Sequence, residues 1–301
     1  MLARIQQVTT LLILAAASLV LLGVWQHSAI LALALSCVTL FSYSLLLAVQ
    51  FGGLRWLNAA DSVPRASRLR LFRAWWIEVR AAARVFMWWQ PFCSHLHADN
   101  TGISEGVRGR RGLVLVHGFL CNRAIWGRWY PELERRKIPF VAVNLEPVFG
   151  SIDGYVDTLE QAIFTLQRAT GVPPIVVCHS MGGLVTRACL LAQCEVPRVH
   201  HVVTIGTPHR GTRIGERLLH PPALQNAAQM RRGSNWLRTL AQKEANARYS
   251  NFTCYYSDCD NIVTPASAAT LVGADNRLRK GVPHVALALD EKILRETLAK
   301  L

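Results

Sequence analysis

The stretch Cys178-His179-Ser180-Met181-Gly182-Gly183 puts a serine between a β-branched run, Ile175-Val176-Val177, and a pair of glycines. A serine where a buried strand turns directly into a helix sits on a tight, strained turn that lifts its hydroxyl above the sheet. Small residues must flank such a turn, because strand and helix approach closely. Gly182 fills the downstream position. Cys178 fills the upstream one, where glycine is usual, so the pattern is small-x-Ser-x-Gly and slightly more crowding is expected. The chemistry on offer is nucleophilic attack on a carbonyl. A serine hydroxyl is a poor nucleophile alone; it needs a base to take its proton and an acid to hold that base in the right tautomer.

Behind this kind of turn the partners follow in the order acid, then histidine. Asp260 opens Asp260-Asn261-Ile262-Val263-Thr264-Pro265, just after the apolar run Phe252 to Tyr256, and is the expected acid. Asp258 is held in reserve. His284, in Gly281-Val282-Pro283-His284-Val285-Ala286-Leu287, lies between that acid and the last helical stretch and is the expected base. His200, His201, His209 and His220 precede the acid and break the order; His95 and His97 fall in a polar linker. The developing oxyanion needs two backbone N–H donors, each worth about 3 kcal/mol. Met181, just after the serine at the positive end of its helix, and Phe119, after His117-Gly118, are the expected pair. His117 is expected to shape its loop rather than transfer protons.

Short β runs alternating with helical stretches must position these groups, which implies a mostly parallel sheet covered by helices on both faces. Strands are expected at Leu113 to Val116, Pro139 to Leu145, Ile175 to Cys178, His201 to Ile205 and Phe252 to Tyr256. Helices are expected at Tyr155 to Thr170, Leu184 to Gln193 and Glu291 to Leu301. Between the fourth strand and the acid, residues 213–249 carry Leu218, Leu219, Leu224, Met230, Trp236, Leu237 and Leu240. Their amphipathic spacing suits a helical cap, either an apolar lid over an acyl pocket or simple packing on the core.

His117-Gly118, Ser180 in its turn, and Thr204-Ile205-Gly206-Thr207-Pro208-His209-Arg210-Gly211-Thr212 together resemble bacterial triacylglycerol lipases and esterases of the α/β-hydrolase superfamily. The resemblance covers roughly Gly112 to Leu301. It implies an α/β-hydrolase fold, hydrolysis of carboxylic esters with apolar acyl chains, and no cofactor. Secreted members of that group sometimes carry structural calcium and a disulfide, and no acidic cluster suited to calcium is evident here.

The resemblance says nothing about residues 1–111. Of the 301 residues, 51% are hydrophobic and 17% charged, and the apolar excess is concentrated at the N-terminus. Ile5 to Trp25 and Ala29 to Phe51 are nearly uncharged runs of about 21–23 residues, joined by Gln26-His27-Ser28. A bilayer crossing needs roughly 20, so residues 1–52 read as a two-helix transmembrane hairpin. A signal peptide is the competing reading of the first run, but a second apolar span follows at once. Arg4 precedes the first span, the link has no Lys or Arg, and Arg55, Arg65, Arg68, Arg70, Arg73, Arg80 and Arg84 follow the second. The positive-inside rule then places both flanks and the catalytic domain in the cytoplasm, at a bacterial inner membrane.

Residues 53–111 read as a basic juxtamembrane segment and linker. At 100° per residue, Leu69, Phe72, Trp76, Val79, Ala83 and Phe86 share one face of a helix over Ser67 to Trp89, flanked by arginines and tryptophans. Such a helix either lies in the head-group region or packs on the soluble domain. The net charge of +14 fits anionic lipid, and no nucleic-acid-binding motif accompanies it. The eight cysteines show no zinc spacing; Cys254 and Cys259 are a candidate pair, but no disulfide framework is implied, which favours a reducing compartment. The leading expectation is thus a membrane-anchored serine ester hydrolase acting on lipid or other apolar esters, over residues 112–301. Acyl transfer, thioester hydrolysis and a non-catalytic membrane scaffold are the alternatives.

Overall fold

The computed structural model describes residues 1–101, 106–192, 198–213, 224–244 and 249–301. Six strands form one parallel sheet in the order β2-β1-β3-β4-β5-β6. They are β1 (Leu113–Val116), β2 (Phe140–Ala142), β3 (Ile175–His179), β4 (His201–Ile205), β5 (Phe252–Tyr256) and β6 (Asp275–Leu278). β1 and β3 are buried along their whole length, as continuous apolar runs covered on both faces should be. The expected second strand is shorter than Pro139 to Leu145. β6 was not expected: its Asp-Asn-Arg-Leu sequence lies exposed at the sheet margin, where no apolar pattern is required.

Two apolar layers sandwich the sheet. On one side, the helices Val156–Thr170 and Gly182–Ala192 present Leu159, Ile163, Leu166, Leu184 and Val185 to Val114, Val116 and Val176. On the other, Trp126, Trp129, Ile293 and Leu298 cover Leu113, Leu115, Val177 and Ile205. Cap residues Met230, Leu237 and Leu240 belong to the first layer, from the short helices Gln225–Gln229 and Asn235–Lys243. Leu218, Leu219 and His220 of the expected cap lie outside the described residues, as does Cys194. The cap is tied down by a buried ion pair between Arg187 and Glu244, in which Arg187 also donates to the His209 carbonyl at 2.9 Å. Cys254 and Cys259 are both free thiols.

Helix α1 (Leu2–Trp25) has 24 residues, an 18-residue stretch of which has a mean hydropathy of 2.3, and at 1.5 Å per residue it reaches about 36 Å. The second apolar run is not one straight helix. It divides at Phe41 into α2 (Ala29–Leu40) and α3 (Ser42–Leu57), bent by 58°. Hydroxyls explain the break. Thr39, Ser42 and Ser44 turn back onto the carbonyls of Leu35, Thr39 and Phe41, a pattern that competes with the helical ladder and bends it. α2 alone is about 18 Å long, short of the roughly 30 Å of a bilayer core. α1 and α2 nevertheless pack together, with the Ser36 hydroxyl on the Ala17 carbonyl at 3.0 Å.

Both ends of this unit return to the α/β domain. Gln6 of α1 donates to the Leu120 carbonyl at 3.4 Å, and Gln6 and Gln7 also bond Gln90 and the Pro91 carbonyl of the connecting segment at 3.2 and 2.6 Å. At the far end, Gln50 of α3 accepts from Asn261 at 2.7 Å, and Asn58 and Asp61 accept from the amides of Ala266 and Ser267. Helix α4 (Arg68–Ala82) is capped by Ser67 and continues as a π-helical turn, Ala83–Trp89. The face read from the sequence is divided. Leu69, Phe72 and Trp76 are exposed, while Leu71, Ala74, Glu78, Ala81, Ala82 and Val85 are buried on the domain. Small residues at 74, 81 and 82 permit the close approach, so the helix buries its less bulky side and leaves large apolar groups outside.

Candidate active site

The carboxyl ends of the parallel strands lie in register, with Val116 beside Cys178, Cys178 beside Thr204 and Ile205 beside Tyr255. The chain segments that leave these ends bring His284 against Asp260, and His179, the neighbour of Ser180, against His284, at the usual location for a site in an α/β sheet. Ser180 follows β3 at φ 52°, in the left-handed region that a non-glycine residue rarely occupies. Its amide still donates to the Ile205 carbonyl at 2.9 Å, so the ladder holds the turn down while the side chain rises from it. Cys178 fits without exposure and its thiol lies 2.9 Å from the Thr186 hydroxyl of the following helix.

His284 begins the short helix His284–Ala288, here α5, rather than lying in an open loop. Its Nδ1 is 2.9 Å from Asp260 Oδ2. The other oxygen of Asp260 accepts the amides of Ile262 and Val263 at 2.9 and 2.8 Å, which fixes the carboxylate. Asp258 points elsewhere: it pairs with Arg70 at 2.7 Å and accepts the Gly281 amide. Burial of the imidazole lowers its pKa, but the charge and hydrogen bond of Asp260 and the charge of Glu78 outweigh that, so His284 titrates above its usual value.

Two glycines are required by close approach. A Cβ on Gly118 would stand 2.8 Å from Ser180 Cβ. A Cβ on Gly206, already at φ +59°, would stand 3.1 Å from Asp260 Oδ2 and 3.2 Å from His284 Nδ1. Gly118 thus brings the loop after β1, with Phe119, against the serine turn. Among the described residues the amides of Phe119 and Met181 make no hydrogen bond to the backbone or a side chain, which leaves both donors available.

Three other buried histidines have structural partners. His117 Nδ1 donates to the Gly118 carbonyl and Nε2 accepts the Leu145 amide, both at 2.9 Å; burial pushes its pKa down to about 4. His179 donates from Nε2 to the His284 carbonyl at 3.1 Å, and the two rings lie 4.7 Å apart. His209 contacts the Thr204 hydroxyl at 3.1 Å. Among the described residues no cluster of His, Cys, Asp or Glu is arranged to hold a metal ion.

Sequence reasoning missed one carboxylate at this site. Glu78 of α4 is 1% exposed, and its two oxygens accept the amides of Val285 and Ala286, the residues directly after His284, at 2.9 and 3.2 Å. The available signal was composition: Glu78 is the one acid between Asp61 and Asp99 in an arginine-rich stretch.

A parallel sheet with a left-handed serine turn after its central strand, and a His–Asp pair after the later ones, defines the hydrolase class of α/β protein. The chain belongs to the alpha/beta hydrolase family, whose model matches residues 113–296. The fold is similar to that of Bacillus licheniformis lipase BlEst2 in its mature form, with a TM-score of 0.54 at 14% identity over 64% of this chain and 91% of that one. It is also similar to Aspergillus fumigatus lipase B, with a TM-score of 0.51 at 18% identity over 62% of this chain and 51% of that one. No curated protein matches the sequence. Residues 1–112 lie outside the family match.

Proposed function

We propose that this protein is a membrane-anchored serine ester hydrolase acting on apolar acyl esters. The observation that carries the reading is the buried His284–Asp260 pair at 2.9 Å, reached through the same strand ends as the strained Ser180 turn. Ser180 attacks the ester carbonyl, and its proton passes to His284 Nε2. Asp260 holds Nδ1 and stabilises the imidazolium. The amides of Phe119 and Met181 receive the oxyanion. The proton then goes to the departing alcohol, and water, activated by the same imidazole, releases the acid from the acyl-enzyme.

The membrane part of the proposal is supported by α1, which is long and apolar enough to cross a bilayer, and by exposed Leu11, Leu12, Leu19, Leu22, Ile30 and Val49. Because both ends of the α1–α3 unit contact the domain, the domain lies on the side from which the unit leaves and to which it returns. The arginines of that region support a cytoplasmic side for the domain. That location is what supports a substrate of lipid type; the described apolar cap residues Met230, Leu237 and Leu240 pack into the core.

The test is labelling of the detergent-extracted full chain with a fluorophosphonate, comparing wild type with Ser180→Ala and His284→Ala. Labelling of wild type alone supports the reading and leads to a panel of phospholipid, lysophospholipid and acylglycerol substrates. A folded wild type that does not label refutes it, and hydrolysis of short soluble esters without any lipid hydrolysis refutes the lipid part.

A further inference from the structure

We infer that Glu78 is a positioning residue for His284: α4, from outside the family-matching region, delivers a buried carboxylate that fixes the start of the helix carrying the base. This inference rests on the serine-hydrolase reading above.

The geometry is specific. A helix start leaves its first N–H groups without intrahelical partners, and α5 begins with the very residue whose ring must be held. Its first three amides are all taken by side chains. The His284 amide donates to Asn261 Oδ1 at 3.3 Å, and those of Val285 and Ala286 donate to the two oxygens of Glu78 at 2.9 and 3.2 Å. Asn261 is in turn held by Gln50 of α3 at 2.7 Å. Both supports therefore originate in the N-terminal helices. Its helix is packed on both sides of Glu78: Leu71 and Ala74 cluster with Phe51, Leu54 and Cys259, and Val79 and Ala82 are buried.

The carboxylate also acts through its charge. The titratable groups that act on Glu78 are His284, whose charge favours the ionised carboxyl, and Asp260, whose charge opposes it. Burial pushes the Glu78 carboxyl up to about 7, against the pull of its two amide donors and His284. In the other direction, Glu78 raises the pKa of His284. An imidazole flanked by Asp260 at Nδ1 and by Glu78 beneath its helix is stabilised when it takes the serine proton. The position of the ring and its basicity then both draw on Glu78 as well as on Asp260.

Second-order labelling rates with the fluorophosphonate, measured from pH 5 to 9 on the full chain in detergent, test this. E78Q keeps the shape, but its amide nitrogen faces one of the two N–H donors and the charge is gone. Its plateau rate is expected to fall on the order of tenfold through misplacement of the base, and the acid limb is expected to move to lower pH. E78D keeps the charge but not the reach; its plateau falls while its acid limb stays near that of wild type. A labelled wild type with E78Q unchanged in both plateau and acid limb overturns the inference alone, whatever happens to melting temperature. Should E78Q fail to fold, a wild-type plateau in E78D overturns it. A folded wild type that does not label overturns the hydrolase reading and this inference together.

Discussion

Asp258 and Asp260 stand two residues apart and serve different partners: Asp260 accepts His284 Nδ1 at 2.9 Å, and Asp258 pairs with Arg70 of α4 at 2.7 Å. The two carboxylates therefore separate by mutation. Asp260→Asn presents an amide where the imidazole needs an acceptor and favours the wrong tautomer. Its labelling rate should fall by about 10^4-fold. Asp258→Asn removes the charge of a buried carboxylate paired with a partly exposed arginine but keeps an oxygen to accept the Gly281 amide, so its cost falls on stability rather than on the base. It should stay within a few-fold of wild type. Equal losses in the two variants would contradict the assignment of Asp260.

The His284 shift gives a signed pH dependence. The base works only as neutral imidazole, and its pKa is held above the usual value of 6.5. Activity should thus rise with pH through a midpoint above 6.5. The linkage to stability runs the other way. A raised folded pKa means that the contribution of the protonated pair is complete below the unfolded pKa and is lost as pH rises through the folded one. Rate–pH profiles of wild type, set against melting temperatures over the same range, check both signs. An acid limb centred below 6.5 would count against the Asp260 and Glu78 contacts.

Gly206 makes a steric prediction. Alanine there must adopt a left-handed conformation and put its Cβ within 3.1 Å of Asp260 Oδ2. The backbone strain alone costs on the order of 1–2 kcal/mol. The larger expected effect is on rate, because the His–Asp pair must move to make room. We expect Gly206→Ala to fold and to label at least tenfold more slowly, consistent with the sensitivity of catalysis to misplacements near 1 Å. Wild-type labelling would show that the pair tolerates the methyl group.

Arg187 makes a stability prediction away from the proposed chemistry. Its side chain is 4% exposed and that of Glu244 5%. Removing one partner of a buried pair leaves an uncompensated charge, at a cost of about 3–5 kcal/mol, whereas replacing both can be near neutral. Arg187→Met should lower the melting temperature markedly, and the double variant Arg187→Met/Glu244→Leu should recover much of the loss. A single variant as stable as wild type would mean that Glu244 reaches water when unpaired.

Much of the site was legible in the sequence because its signals are local. Ile175 to His179 followed by Ser-Met-Gly-Gly dictates a strand, a tight turn and a helix within a dozen residues, and Asp260 and His284 follow in an order that the topology imposes. Glu78 was not legible. Nothing near it in the chain distinguishes a solvated acid from one that bonds amides 207 and 208 residues away. The break at Phe41 was missed for a related reason: hydropathy reads Ala29 to Phe51 as uniform, while three hydroxyls decide the local backbone. The helical wheel of α4 weighted bulk: Val79 is buried and Phe86 packs on the core as that face implies, but Leu69, Phe72 and Trp76 stay outside, and Leu71, Ala74, Ala81 and Ala82 are buried instead. β6 carries a polar sequence because only one of its edges is paired.

The two margins of the sheet have a consequence for how copies of this chain meet. Beside β2, Asn100 forms a short antiparallel bridge with Phe140, and the Asp99 carboxylate accepts the Ala142 amide. At the other margin β6 is short, and Arg277 there is engaged with Asp275 and Glu296. Among the described residues a neighbouring copy of this chain finds no long, bare ladder to extend. Strand-to-strand aggregation, the usual hazard of an open sheet, is thereby discouraged at both sides.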